Sequence, residues 1–189
     1  LLETAERLFY ARGYEQTSVQ DILDELHFSK GGFYHHFESK LALLEAICEE
    51  RARASCEAAQ HAVNACGGNA VDKLNAFFQR SAIWQSDSTD FISLLVRVAY
   101  REDGALMREK MKQRQLELTL PILRRIVREG VQTGMFFIPA GDGMSELVLR
   151  LGMQLTDEIA FLLSAASDES DVLAAIVDKL EVYRYAIER

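Results

Sequence analysis

The sequence predicts an all-α protein of about nine helices in two domains, residues 1–46 and 47–189. Three observations carry that prediction. Apolar residues make up 49% of the chain, and they recur at spacings of three and four without sustained alternation. Only two prolines, Pro121 and Pro139, interrupt the pattern. Glycine, serine and aspartate clusters fall between the apolar stripes, where helices need to stop.

Ala5, Leu8 and Phe9 continue the phase of Leu1, and Gly13 closes the first helix. Thr17 reads as the N-cap of the second helix, with Gln20 three residues on completing a capping box. Val19, Ile22, Leu23 and Leu26 form its apolar stripe, and His27-Phe28-Ser29 makes a tight turn. A helix starting at Ser39 runs to about Ala65, stopped by Gly67-Gly68. At 1.5 Å per residue it is about 40 Å long, so it belongs to both domains. Further helices are expected near 70–85, 89–102, 105–133, 143–166 and 169–188, with a kink at Pro121.

The segment Ser29–Lys40, SKGGFYHHFESK, carries the sharpest signal. Gly31 and Gly32 would each cost an isolated helix about 1 kcal/mol relative to alanine. Glycine is useful where a backbone must approach another surface closely, and phosphate oxygens suit the flanking Lys30 and Lys40. At about 100° per residue, Phe33 and Phe37 share one stripe that faces the preceding helices. Lys30 with Tyr34, and Gly31 with His35, share a second, outward stripe suited to phosphates and base edges. His36 falls nearer the inward stripe and reads as structural. Three short helices with a tight turn before the third make a helix-turn-helix unit, whose last helix enters the DNA major groove.

Taken in order, Leu1–Ala5, Leu8-Phe9, Gly13-Tyr14, Thr17–Val19, Asp21-Ile22, Ser29–Gly31, Tyr34–Phe37, Ser39-Lys40 and Leu43-Leu44 resemble the DNA-binding domain of the TetR family of bacterial transcriptional regulators. Gly32 departs from that pattern, where threonine, serine or alanine is commoner, and so does Phe28, at a turn position where relatives often carry a small polar residue. The resemblance implies phosphate contacts from Thr17 or Ser18, Lys30, Tyr34 and Lys40, and base or sugar contacts from Gly31 and His35. Phe28, Ser29 and Gly32 complete the expected DNA-binding set. It also implies a basic arm ahead of Leu1.

The net charge of −8 points away from nucleic acid if taken alone. Residues 1–50 carry four Lys/Arg against ten Asp/Glu, but Ser29–Lys40 holds two lysines against Glu38 alone. Phosphate neutralisation is done by the contacting cations, so the local balance governs. No apolar run approaches the roughly 18 residues of a membrane span and no leader is visible, so a soluble, cytoplasmic protein is expected.

Cys48, Cys56 and Cys66 lack paired spacing and form no metal set with the four histidines, so no metal and no cofactor are expected. Catalytic motifs are absent too: there is no H-E-x-x-H, P-loop, G-x-G-x-x-G or nucleophile elbow. No catalytic residue is assigned.

In the larger domain the apolar stripes read as core by themselves, and it is the family resemblance that implies a cavity for an apolar or amphipathic effector, with aromatic and methionine residues on several helices as its lining. Phe77, Trp84, Tyr100, Met107 and Met111 are the candidates. The basic run Arg108, Lys110, Lys112, Arg114 reads as a solvated helix face, or else as an attractor for an acidic effector. Leu151, Leu155, Ile159, Ile176, Leu180 and Tyr183 lie on broad apolar faces of the last two helices. Two such pairs from two subunits would make a four-helix homodimer interface, and a two-fold dimer suits a palindromic operator. The expected function is a ligand-responsive DNA-binding transcriptional regulator, a repressor released by a small-molecule effector. The alternative is an effector-independent DNA-binding regulator controlled by a protein partner or by cysteine redox chemistry.

Overall fold

The computed structural model describes residues 1–81, 89–99, 104–138, 141–165, 175–179 and 181–182. The helices are α1 (Leu2–Arg12), α2 (Val19–Leu26), α3 (Lys30–His36), α4 (Lys40–Ala65), α5 (Ala70–Ser81), α6 (Thr89–Ala99), α7 (Ala105–Gln132) and α8 (Gly141–Ala165). Residues 175–179 and 181–182 are helical as well, and no strand occurs among the described residues. The chain is therefore all-α. No helix among these residues is long and apolar enough to cross a membrane.

Short polar side chains begin three of the first four helices. Ser18, not Thr17, caps α2: its hydroxyl accepts from the Asp21 N–H at 3.1 Å, while the Ser18 N–H donates to Asp21 Oδ2 at 2.7 Å. The Ser18 hydroxyl also donates to Asp21 Oδ2 at 2.5 Å, and that bond first, with the Ser18 N–H second, holds the Asp21 carboxyl below its usual range. The capping box thus lies one residue later than the sequence suggests and uses Asp21 rather than Gln20. Ser29 caps α3 through the Gly32 N–H, and Ser39 caps α4 through the Ala42 N–H. His27, at φ 50, ends α2 in the left-handed region, and the Phe28 N–H reaches back to the Leu23 carbonyl at 2.9 Å.

Two apolar clusters hold the elements together. The first gathers Leu8, Phe9, Ile22, Leu23 and Phe33 with Leu43, Leu44 and Ile47 of α4. It continues without a break into Leu94, Leu95 and Val98 of α6 and Met107 of α7. The second joins the distal half of α4, through Ala59 and Val63, to Phe77, to Leu120, Leu123 and Ile126 of α7, and to Leu149 of α8. α4 contributes to both clusters, through Leu43, Leu44 and Ile47 at one end and Ala59 and Val63 at the other. α7 runs through Pro121, which has no N–H to give to the preceding turn.

The basic run on α7 is partly solvated, as its composition suggests, yet its cations are also paired. Lys110 bridges to Glu45 and Arg114 to Glu49, each at 3.1 Å, while Lys112 pairs with Asp157 of α8. Arg108 donates to the Ala99 carbonyl at the end of α6. Every cation of the run therefore ties α7 to a neighbouring helix.

Candidate nucleic-acid interface

α3 is seven residues long with two glycines, and its helical state rests on tertiary support. Phe33 supplies it: the ring is fully buried in the first cluster and touches Tyr34 and Phe37 at 5.2 and 5.7 Å between centroids. With that anchor fixed, Lys30, Gly31, Tyr34 and His35 all lie exposed on the opposite side. A Cβ added at Gly31 would meet nothing within 4 Å, so its backbone is open to an approaching surface. Gly32 differs. A Cβ there would stand 2.9 Å from Phe28 Cε1 and Cζ, because the half-exposed Phe28 ring occupies that space.

Three expectations need correction. Thr17 is fully buried, and its hydroxyl donates to the Gly13 carbonyl at 2.8 Å, which locks the entrance of α2 to the end of α1. Its side chain has no access to a phosphate; the exposed Ser18 is the surface member of that pair. Lys40 turns its ammonium inward, donating to the carbonyls of Tyr14 at 2.7 Å and Thr17 at 2.9 Å, and lies 4.2 Å from the Tyr14 ring centroid. It is a clasp between α4 and the α1–α2 connection, not a free cation. His36 is exposed, with its ring edge-on to His35 at 5.0 Å, because the helix ends there and Phe37 is already extended at φ −135.

Sequence reasoning missed a polar knot that ties α4 to α1. Arg51 bonds the Glu6 carboxylate and donates to the Tyr10 hydroxyl at 2.9 Å, and that hydroxyl donates to Glu6. Glu6 and Arg51 are separated by 45 positions, too far apart for a local pattern to pair them.

Behind this unit lies a cavity of about 880 Å³ among α4, α5, α6, α7 and α8. Phe77, Met107 and Met111 line it; Trp84 and Tyr100 lie outside the described residues. Of the residues proposed for an inter-subunit face, Leu151, Leu155, Ile159 and Ile176 are half-buried, and Leu180 and Tyr183 fall outside the described residues. Cys48 is buried and its thiol is pushed up to about 12, first by burial and then by Glu45. Cys56 is also raised by burial, and its Sγ lies 3.1 Å from the Leu118 carbonyl oxygen. Neither environment favours a reactive thiolate.

The capped α2, the tight turn and the anchored α3 define a helix-turn-helix module at the head of an all-helical chain. Residues 1–47 match the family described as bacterial regulatory proteins, tetR family. The match covers the N-terminal quarter of the chain, the segment that holds α1 to α3 and the start of α4. Among curated relatives, the uncharacterized HTH-type transcriptional regulator YerO of Bacillus subtilis is 47% identical over 49 residues, 26% of this chain and 17% of YerO. The chain thus spans under a fifth of that relative's length. Among solved structures, a transcriptional regulator from Cytophaga hutchinsonii superposes with a TM-score of 0.70 at 18% identity, covering 97% of this chain and 93% of that one. The transcriptional regulator FadR from Bacillus subtilis, in complex with stearoyl-CoA, does so with a TM-score of 0.64 at 18% identity, covering 96% and 95%. At that identity these likenesses establish the fold.

Proposed function

We propose that the chain is a DNA-binding transcriptional repressor of the bacterial cytoplasm whose operator affinity falls when a small molecule occupies the helical domain. The observation that carries this reading is the two-sided α3, with Phe33 buried and Lys30, Gly31, Tyr34 and His35 outward. A cation, a phenol, an imidazole and an open backbone suit phosphates and base edges together. Residues 1–46 act as the reader and 47–189 as the effector and dimerisation domain.

A homodimer on a palindromic operator follows from the small size of the reading face. On α8, Leu147 and Phe161 are 48% and 63% exposed, and Val177 further on is 51% exposed, which leaves apolar area for a second copy beside Leu151, Leu155 and Ile159. The cavity supports the effector, and the structural likeness to a regulator that holds stearoyl-CoA supports an amphipathic one. A coupling of about 1–3 kcal/mol between the two sites lowers DNA affinity 5–150-fold. Redox control at Cys48 or Cys56 is disfavoured by their raised thiols.

Selection of bound duplexes from a random-sequence pool, followed by gel shift, tests the reading. The expected result is a palindromic consensus with half-sites about one helical turn apart. Its binding is lost in the folded Lys30→Ala/Tyr34→Phe variant. Recovery of no consensus, or unchanged binding by that variant, overturns it.

A further inference from the structure

The walls of the central cavity are apolar, with Phe77, Leu95, Met107, Met111, Leu149 and Met153 among them. Its charged lining runs against the rest of the molecule. Six cationic side chains face it against three carboxylates, in a chain whose net charge is −8. The carboxylates are Glu45, Glu49 and Asp157, each paired with one of those cations.

Two of these pairs form a ladder. Glu45 and Glu49 are one turn apart on α4, and Lys110 and Arg114 are one turn apart on α7. The rungs are both 3.1 Å, so the two helices run in register across the cavity rim. Lys110 and Arg114 side chains are 57% and 40% exposed, and ion pairs at such exposure add little net stability. They can therefore be exchanged for another anion at small cost. Arg114 also holds a buried Nε–H that has no acceptor. Glu49 and Glu117 hold the two guanidinium tips and leave that donor open.

We propose that the cavity takes an elongated apolar molecule ending in a carboxylate or phosphate, and that its head group displaces Glu45 and Glu49 from Lys110 and Arg114. Rejection of neutral analogues follows, because the cations then keep their protein partners and gain nothing. The ligand class deepens the effector reading above. Within that reading, loss of the two rungs unties α7 from the part of α4 nearest the DNA reader, so the ligand has differential contacts with two states.

The test is calorimetric titration of the full chain, without DNA, using decanoate, decyl phosphate and decanol as probes. Decanoate or decyl phosphate is expected to bind at least ten-fold tighter than decanol. Lys110→Gln/Arg114→Gln weakens the anionic probe about ten-fold and leaves decanol unchanged, whereas Glu45→Gln/Glu49→Gln tightens it several-fold. The opposite signs separate competition from mere damage to the fold, which circular dichroism checks independently. Whichever anionic head binds tighter identifies the source, carboxylate or phosphate. Equal binding of anionic and neutral probes, no binding of any probe, or Glu45→Gln/Glu49→Gln weakening the anion overturns the proposal. Failure to recover an operator in the duplex selection bears only on the DNA reading, since these titrations contain no DNA.

Discussion

The ring of Phe28 fills the space that a side chain at Gly32 would need, with two ring carbons 2.9 Å from an added Cβ. The two departures from the family pattern are therefore one feature. Glycine at 32 makes room for an aromatic residue at 28, and the aromatic covers a backbone that glycine leaves bare. A double-mutant cycle measures the coupling. Gly32→Ala alone gains helix propensity but has to displace the ring, so the two effects oppose each other. In a Phe28→Ala background the same change is stabilising by up to about 1 kcal/mol. Urea unfolding of the four proteins is expected to give a coupling of at least about 0.5 kcal/mol; additivity refutes the linkage.

Gly31, one residue earlier, separates folding from binding. Its added Cβ meets nothing, so Gly31→Ala is expected to fold at least as well as the parent, by up to about 1 kcal/mol. The methyl nevertheless stands where the backbone has to approach DNA, and operator affinity is expected to fall about ten-fold. Gel shifts and unfolding curves on the same preparation check both halves. A variant that binds like the parent removes close backbone approach as the reason for this glycine.

Lys40 behaves differently from a phosphate-contacting lysine. Lys40→Met keeps the alkyl stem and removes two charge-assisted bonds to the Tyr14 and Thr17 carbonyls. The expected cost is about 2 kcal/mol of folding stability, read as a lower urea midpoint. The slope of log affinity against log salt is expected to stay that of the parent, since no counterion is released by this side chain. A slope flatter by about one unit with unchanged stability assigns Lys40 to the DNA instead.

Local patterns in the sequence carry much of this architecture, and they stop being informative at definable places. The inward–outward split of α3 is legible because Phe33, Lys30, Tyr34 and His35 all lie within one regular helix. The same 100° rule misplaces His36, because the backbone turns extended at Phe37 and the phase ends there. Thr17 and Ser18 are both competent caps by composition. Burial decides between them, since the Thr17 methyl and hydroxyl fit against the end of α1. Lys40 finds its acceptors 26 and 23 residues back, and Lys110 its carboxylate 65 residues away. No window-based reading reaches partners at that range, which is why a clasp reads as a phosphate contact and a set of helix ties reads as a solvated face alone.

Cys48 makes a prediction with a definite sign. Its thiol is pushed up to about 12 from the ordinary 9.0, with burial as the leading cause, Glu45 and Glu6 adding to it and Arg51 opposing. Below the unfolded value both states are protonated and the stabilising contribution is fully present. As pH rises from about 9 towards about 12 the unfolded chain ionises while the native thiol does not, so that contribution is progressively lost. Comparison with Cys48→Ala isolates this contribution from the rest of the molecule. The variant is expected to be less stable near neutral pH by about 1 kcal/mol, from lost packing. Its stability is also expected to decline less steeply than the parent's between about pH 9 and about pH 11. Iodoacetamide at about pH 8 is expected to leave Cys48 of the native protein unlabelled over the time that labels it in the urea-unfolded chain, because only the thiolate reacts. Parallel stability–pH curves for parent and variant, or rapid labelling of Cys48, contradict a buried protonated thiol and reopen redox control at that position.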